Sequence, residues 1–177
     1  MSYSESRILL NSQRESQVSR FRAWVMFAVP LVAVLFQAYV PLFFPFLRFL
    51  EVPLMVVIYF ALMRRSQMSG LFIGCFVGLA QDSLFNKPLG LYGIAESLVG
   101  YFAASIGLRL DVDHPFMRLL LTFFFFIVHR FFYWIILRAM LGKMMAFDIQ
   151  STLVLALLNG VVGVSLFHFL DKLREKA

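Results

Sequence analysis

From Ala23 to Leu47 the chain carries no charged residue. A helix needs about 20 mostly apolar residues to cross the hydrocarbon core of a bilayer, so a stretch of this kind reads first as a membrane span. The pattern recurs near Met68–Phe85, Leu89–Leu108, Pro115–Leu137 and Ser151–Leu170, with the first span near Ala23–Val40. Hydrophobic residues make up 61% of the 177 positions and 22 are Phe, more apolar surface than a soluble domain of this size buries, so lipid must cover much of it. These observations predict an all-α integral membrane protein.

A further span is harder to place. Pro53 to Met63 is short alone, and extending it backward brings in Pro45, Arg48 and Glu51. We read Leu50–Met63 as a short span, with Pro41–Phe49 as an interfacial or partly re-entrant lead-in buried against protein. Charge placement supports counting it. With the N-terminus cytoplasmic, the inner segments hold Arg7, Arg14, Arg20, Arg22, Arg64, Arg65, Arg109, Arg118, Lys172, Arg174 and Lys176. The outer segments hold only Arg48, Lys87, Arg138 and Lys143, and Arg130 lies within a span. That bias fits six spans with both termini inside, whereas five spans break the alternation at Arg64 and Arg65.

The predicted organisation is therefore a basic cytoplasmic tail (1–22), one six-helix membrane domain (23–171) and a short cytoplasmic tail (172–177). The first span should be retained, because "FQAYVPLFFPF" offers no small-residue cleavage site. Cys75 is the single cysteine and sits in an apolar run, so no disulfide framework exists. The net charge of +6 is scattered between apolar segments, which fits membrane topology better than nucleic-acid binding.

The stretch "GLFIGCFVGLAQD" places Gly70, Gly74 and Gly78 four apart and then, one step further, Asp82. In lipid, helix association depends on close backbone approach, which small residues at this spacing allow. The stripe either packs one helix of the chain on another or receives a helix of another protein. In the next span Glu96, Gly100 and Ala104 repeat the spacing, and a carboxylate there should face the bundle and find a partner. His129 and Arg130 in the fifth span and Asn159 in the sixth are the candidates for an intramembrane polar network. If the fourth and fifth spans are antiparallel neighbours, a Glu96–Arg130 ion pair is expected, either fixing register or lining a ligand site. Asn159, Gly160 and Gly163 suggest another close helix contact, and Gln37 suits a bond across helices. "LDVDHP", Leu110 to Pro115, contains Asp111, Asp113 and His114 but reads as a turn before a proline-started helix, not as a metal site. No metal or other cofactor is expected. The sequence contains no HExxH, no Gly-rich phosphate loop and no G-x-S-x-G, which argues against an enzyme.

The glycine ladder ending "GLAQDSLF", followed by "KPLGLYGIAESLVGYFAASIGLRL", resembles the rod-shape-determining membrane protein family MreD of bacteria. The match is carried by Gly70, Gly74, Gly78, Asp82, Leu89, Gly90, Gly100 and Tyr101; it spans roughly residues 23 to 170 and is densest over 68 to 110. The resemblance implies a non-enzymatic adaptor in the bacterial inner membrane. Such an adaptor binds MreC and helps couple the MreB filament to the glycosyltransferase RodA and its partner class B transpeptidase in peptidoglycan synthesis. It also implies a fold similar to substrate-binding components of vitamin transporters, which keeps a small-solute-binding reading open. On the adaptor reading, partner helices use small-residue grooves, the basic inner face meets membrane lipids or the filament, and Asp82 with Asn86 and Lys87 sets specificity at the outer mouth.

Overall fold

The computed structural model describes residues 22–110, 112–142 and 146–174. The remainder of the expected N-terminal tail, Asp111, Lys143 and the last three residues of the C-terminal tail lie outside the described residues. Among the described residues six α-helices follow one another: α1 (Ala23–Phe43), α2 (Val52–Arg64), α3 (Gln67–Leu84), α4 (Leu91–Gly107), α5 (Pro115–Leu141) and α6 (Ile149–Asp171). A 3-10 turn, Pro45–Phe49, joins α1 to α2. It has no buried residue. The expectation of a re-entrant lead-in buried against protein is thereby corrected: Pro45 starts a tight turn that lies on the surface.

The ends of the helices follow local chemistry. Pro53 and Pro115 stand in the first turns of α2 and α5, where a missing backbone N–H costs nothing. His114 caps α5, its Nδ1 accepting the Phe116 N–H at 3.3 Å. The "LDVDHP" segment is thus a helix start. Asp148 caps α6 by accepting the Ser151 N–H at 3.1 Å. α1, α5 and α6 are each long and apolar enough to cross a membrane, over Trp24–Phe43, Pro115–Met140 and Ile149–Asp171.

α2 forms the centre. Every residue from Pro53 to Met63 is buried, and the helix touches all five others. A helix that is apolar on every side has no face to give to solvent and settles inside a bundle. Its 13 residues span about 20 Å, which explains why it looked too short in the sequence. Tyr59 and Phe60 pack edge to face at 5.5 Å, and Phe167 of α6 closes on Tyr59 at 5.2 Å. α1, by contrast, leaves Phe27, Leu31, Val32, Leu42 and Phe43 exposed on its outer side.

Candidate functional site

The closest helix pair is α3 against α4, and the glycine stripe makes it. A Cβ added to Gly70 would strike the Gly100 carbonyl, one on Gly74 the Glu96 carbonyl and one on Gly78 the Tyr92 carbonyl, each nearer than the 3.0 Å that real Cβ atoms respect. Gly100 is reciprocally pressed on the Gly70 carbonyl. The groove is therefore occupied by α4 of the same chain. Of the two readings of the stripe, packing within the chain is the one the geometry of Gly70, Gly74, Gly78 and Gly100 fits, because the two backbones leave no room for a partner's helix between them.

Asp82 ends the stripe as a buried cap. Its Oδ1 accepts the Tyr92 N–H at 2.9 Å, and its Oδ2 accepts those of Gly90 at 2.9 Å and Gly93 at 3.1 Å. A helix leaves its first N–H groups unpaired, and a carboxylate there satisfies them and suits the positive end of the helix dipole. Gly90 stands at φ +97°, a left-handed turn that L side chains rarely adopt, and so brings α4 directly over Asp82. Asp82 is thus not part of an open mouth. The exposed group there is Asn86, next to half-buried Lys87.

Around that cap lies a polar core drawn from α3, α4 and α5 and from Lys87 in the loop between the first two. Gln81 Nε2 donates to Glu96 Oε1 at 2.7 Å, both side chains being fully buried. Lys87 Nζ donates to Tyr133 Oη at 3.1 Å and to Tyr92 Oη at 3.4 Å, and lies over both rings at 5.2 and 4.9 Å. The ring of His129 stacks on Tyr92 at 5.7 Å. The expected Glu96–Arg130 ion pair does not form; Glu96 takes Gln81 instead. His129 and Arg130 are adjacent and therefore point to different faces of α5; it is His129 that stacks on Tyr92 of α4. Glu96 Oε2, Gln81 Oε1 and both ring nitrogens of His129 are buried with no hydrogen-bond partner among the described residues.

Asn159 belongs to a different assembly from Glu96. Its Nδ2 donates to the Phe49 carbonyl at 3.0 Å and its Oδ1 accepts the Glu51 N–H at 2.8 Å, which fastens the start of α2 to α6. The Val52 N–H donates to Gln37 Oε1 at 3.3 Å, a bond across to α1.

At the opposite end a second polar cluster joins α2, α5 and α6. Arg118, nearly buried, donates through Nη1 to Asp171 Oδ2 at 2.5 Å and through Nε to the Val112 carbonyl at 2.8 Å. Tyr59 Oη donates to Asp171 Oδ1 at 2.9 Å, and Asp113 lies 3.6 Å from Arg118 and 3.4 Å from Arg174. Sequence reasoning counted Arg118 only as a topology charge and gave Asp171 no role. The available signal was a guanidinium in the first turn of a largely apolar helix, a position that demands a partner.

An all-helical bundle with three membrane-competent helices, a glycine-closed seam and buried polar clusters defines an integral membrane protein of the helical class. Within that class the chain is assigned by comparison. It matches the family described as rod shape-determining protein MreD over residues 19–177 and belongs to that family. No curated protein matches it, and no solved structure does. Membership gives it a role in determining rod shape.

Proposed function

We propose that the chain is a non-enzymatic scaffold of the bacterial cell-elongation machinery. Its six helices cross the inner membrane with both termini in the cytoplasm, and it binds MreC and links the MreB filament to peptidoglycan synthesis by RodA and its class B transpeptidase. Family membership carries this reading. The geometry supports it: Asp82, Asn159, Arg118 and Asp171 hold the chain's own backbone and helices together, which leaves surfaces to do the work. With the glycine seam closed from within, partner helices meet the outward apolar sides of α1, α5 and α6, where Val32, Phe124, Leu157 and Val161 are exposed. In lipid such contacts rest on packing, since the tails are as apolar as the helices.

The test is co-purification in gentle detergent. MreC should be recovered with the wild-type chain and lost when one outer face is altered, by Val32→Ala with Leu35→Ala on α1 or Leu157→Ala with Val161→Ala on α6. Absence of MreC from a folded wild-type preparation rejects the scaffold. A reporter fused after Ala177 should be active only in the cytoplasm; activity outside rejects the six-span topology.

The unpartnered atoms of Glu96, Gln81 and His129 favour a second reading, a small-solute-binding component of a transporter, because buried polar groups without partners suit a polar guest. Normal growth and shape in cells carrying Glu96→Gln with His129→Gln would end it.

A further inference from the structure

An apolar groove opens sideways between α1 and α3. Its walls include Phe27, Leu31, Phe72 and Phe76, and its one hydroxyl is that of Ser69. On α1 the lining runs from Met26 to Val34 and on α3 from Ser69 to Ala80, about 12 to 16 Å along the helix axes. That length is close to half of a hydrocarbon core of roughly 30 Å, the depth of one leaflet.

Charge marks one end of the groove. Arg64, the last residue of α2, reaches with Nη1 to the Sδ of Met26, a lining residue. Among the described residues that thioether is the hydrogen-bond partner Arg64 has, and no carboxylate pairs with it. A thioether is a weak acceptor and leaves a part-buried guanidinium largely unanswered. Arg65 follows directly, and Arg22 lies one turn before Met26 at the start of α1. Arg64 therefore stands against one wall of the apolar slot, through Met26, with two further arginines close by in the chain.

We propose that this groove binds one anionic phospholipid, with an acyl chain between α1 and α3 and the phosphate at Arg64. A transmembrane helix is a poorer occupant. It is about 10 Å across and packs closely through small residues, whereas three exposed phenylalanines stand on the walls. A flexible chain threads between aromatic rings, and a guanidinium answers a phosphate with paired hydrogen bonds. The inference requires only that the bundle sits in a bilayer; it is independent of the MreC reading and survives that reading's failure.

Native mass spectrometry of the full chain, released from detergent after incubation with equal amounts of palmitoyl-oleoyl phosphatidylglycerol and phosphatidylcholine, tests the proposal. The wild-type chain should retain the glycerol lipid preferentially, and Arg64→Gln should cut that preference about fivefold, as expected for one basic residue near anionic lipid. Ser69→Phe should lower retention of both lipids, while Arg48→Gln, in the 3-10 turn beyond the far end of α1, should change neither. Equal retention of the two lipids by the wild-type chain, or an unchanged preference in Arg64→Gln, overturns the headgroup site. A second measurement does not depend on any variant folding: phosphatidylglycerol carrying a photoreactive acyl chain should label the segment containing Phe72 and Phe76. Labelling confined to α5 and α6 overturns the groove.

Discussion

Asp82 shows how much one side chain decides. Its carboxylate answers three backbone N–H groups that would otherwise be buried unpaired at the start of α4. Asp82→Asn keeps one oxygen and turns an amide toward the rest, so it should destabilise the protein by about 2–4 kcal/mol, read as a lowered melting temperature in detergent. A change within about 0.5 kcal/mol would remove the capping role. For Glu96 and Arg130 the expectation is the reverse. Because Glu96 bonds Gln81 and not Arg130, the effects of Glu96→Gln and Arg130→Gln should add within about 0.5 kcal/mol in a double-mutant cycle. Strong coupling between them would show that they pair. Glu96 was legible in the sequence as a group needing a partner, whereas Asp82 was read as part of an outer mouth. Their actual partners were not legible, because spacing gives a helix face but not what packs on it.

At the scale of the helix, the α3–α4 seam depends on missing side chains. Gly74→Ala places a methyl on the Glu96 carbonyl, an overpacked contact expected to cost about 1–3 kcal/mol and to push the two helices apart. Gly160→Ala makes only ordinary contact with the Leu119 carbonyl at 3.4 Å and should be nearly neutral. Equal melting of the two variants would contradict the close approach. At the start of α6, hydrogen bonds from the Ser151 hydroxyl, and then its N–H, hold the Asp148 carboxyl below its ordinary 3.8. A carboxyl lowered in the fold contributes stability above its unfolded value, and that contribution fades as the pH falls through the folded value. The first-turn amides of α6 should therefore keep their protection from hydrogen exchange at neutral pH and lose it only below 3.8. Loss already at neutral pH would dismiss the cap. The glycine stripe itself was plain in the sequence, but whether α4 or a foreign helix filled it depended on which helix lay alongside.

Across the whole molecule, α2 is enclosed by the other five helices and tied at both ends, by Asn159 at its start and by Asp171 through Tyr59 near its finish. Asp171→Asn weakens the half of this knot that Arg118 completes. Because Asp171 is partly exposed, the loss should be about 2 kcal/mol, below the cost of breaking a fully buried pair. It should appear as faster exchange in α2 and α6 together, and a loss restricted to α6 would deny that Asp171 joins them.

Apolar runs, prolines and capping residues lie in the local order of the chain, so the sequence by itself determined an all-helical membrane protein, the approximate ends of its helices and the resemblance to its family. Tertiary structure alone decided that the shortest apolar helix is the central one, that Asp82 faces inward as a cap, that Gln81 answers Glu96, and that Arg118 and Asp171 meet. Each of these is a contact between segments distant in the chain, and a helical period specifies which residues share a face without specifying which helix that face will meet.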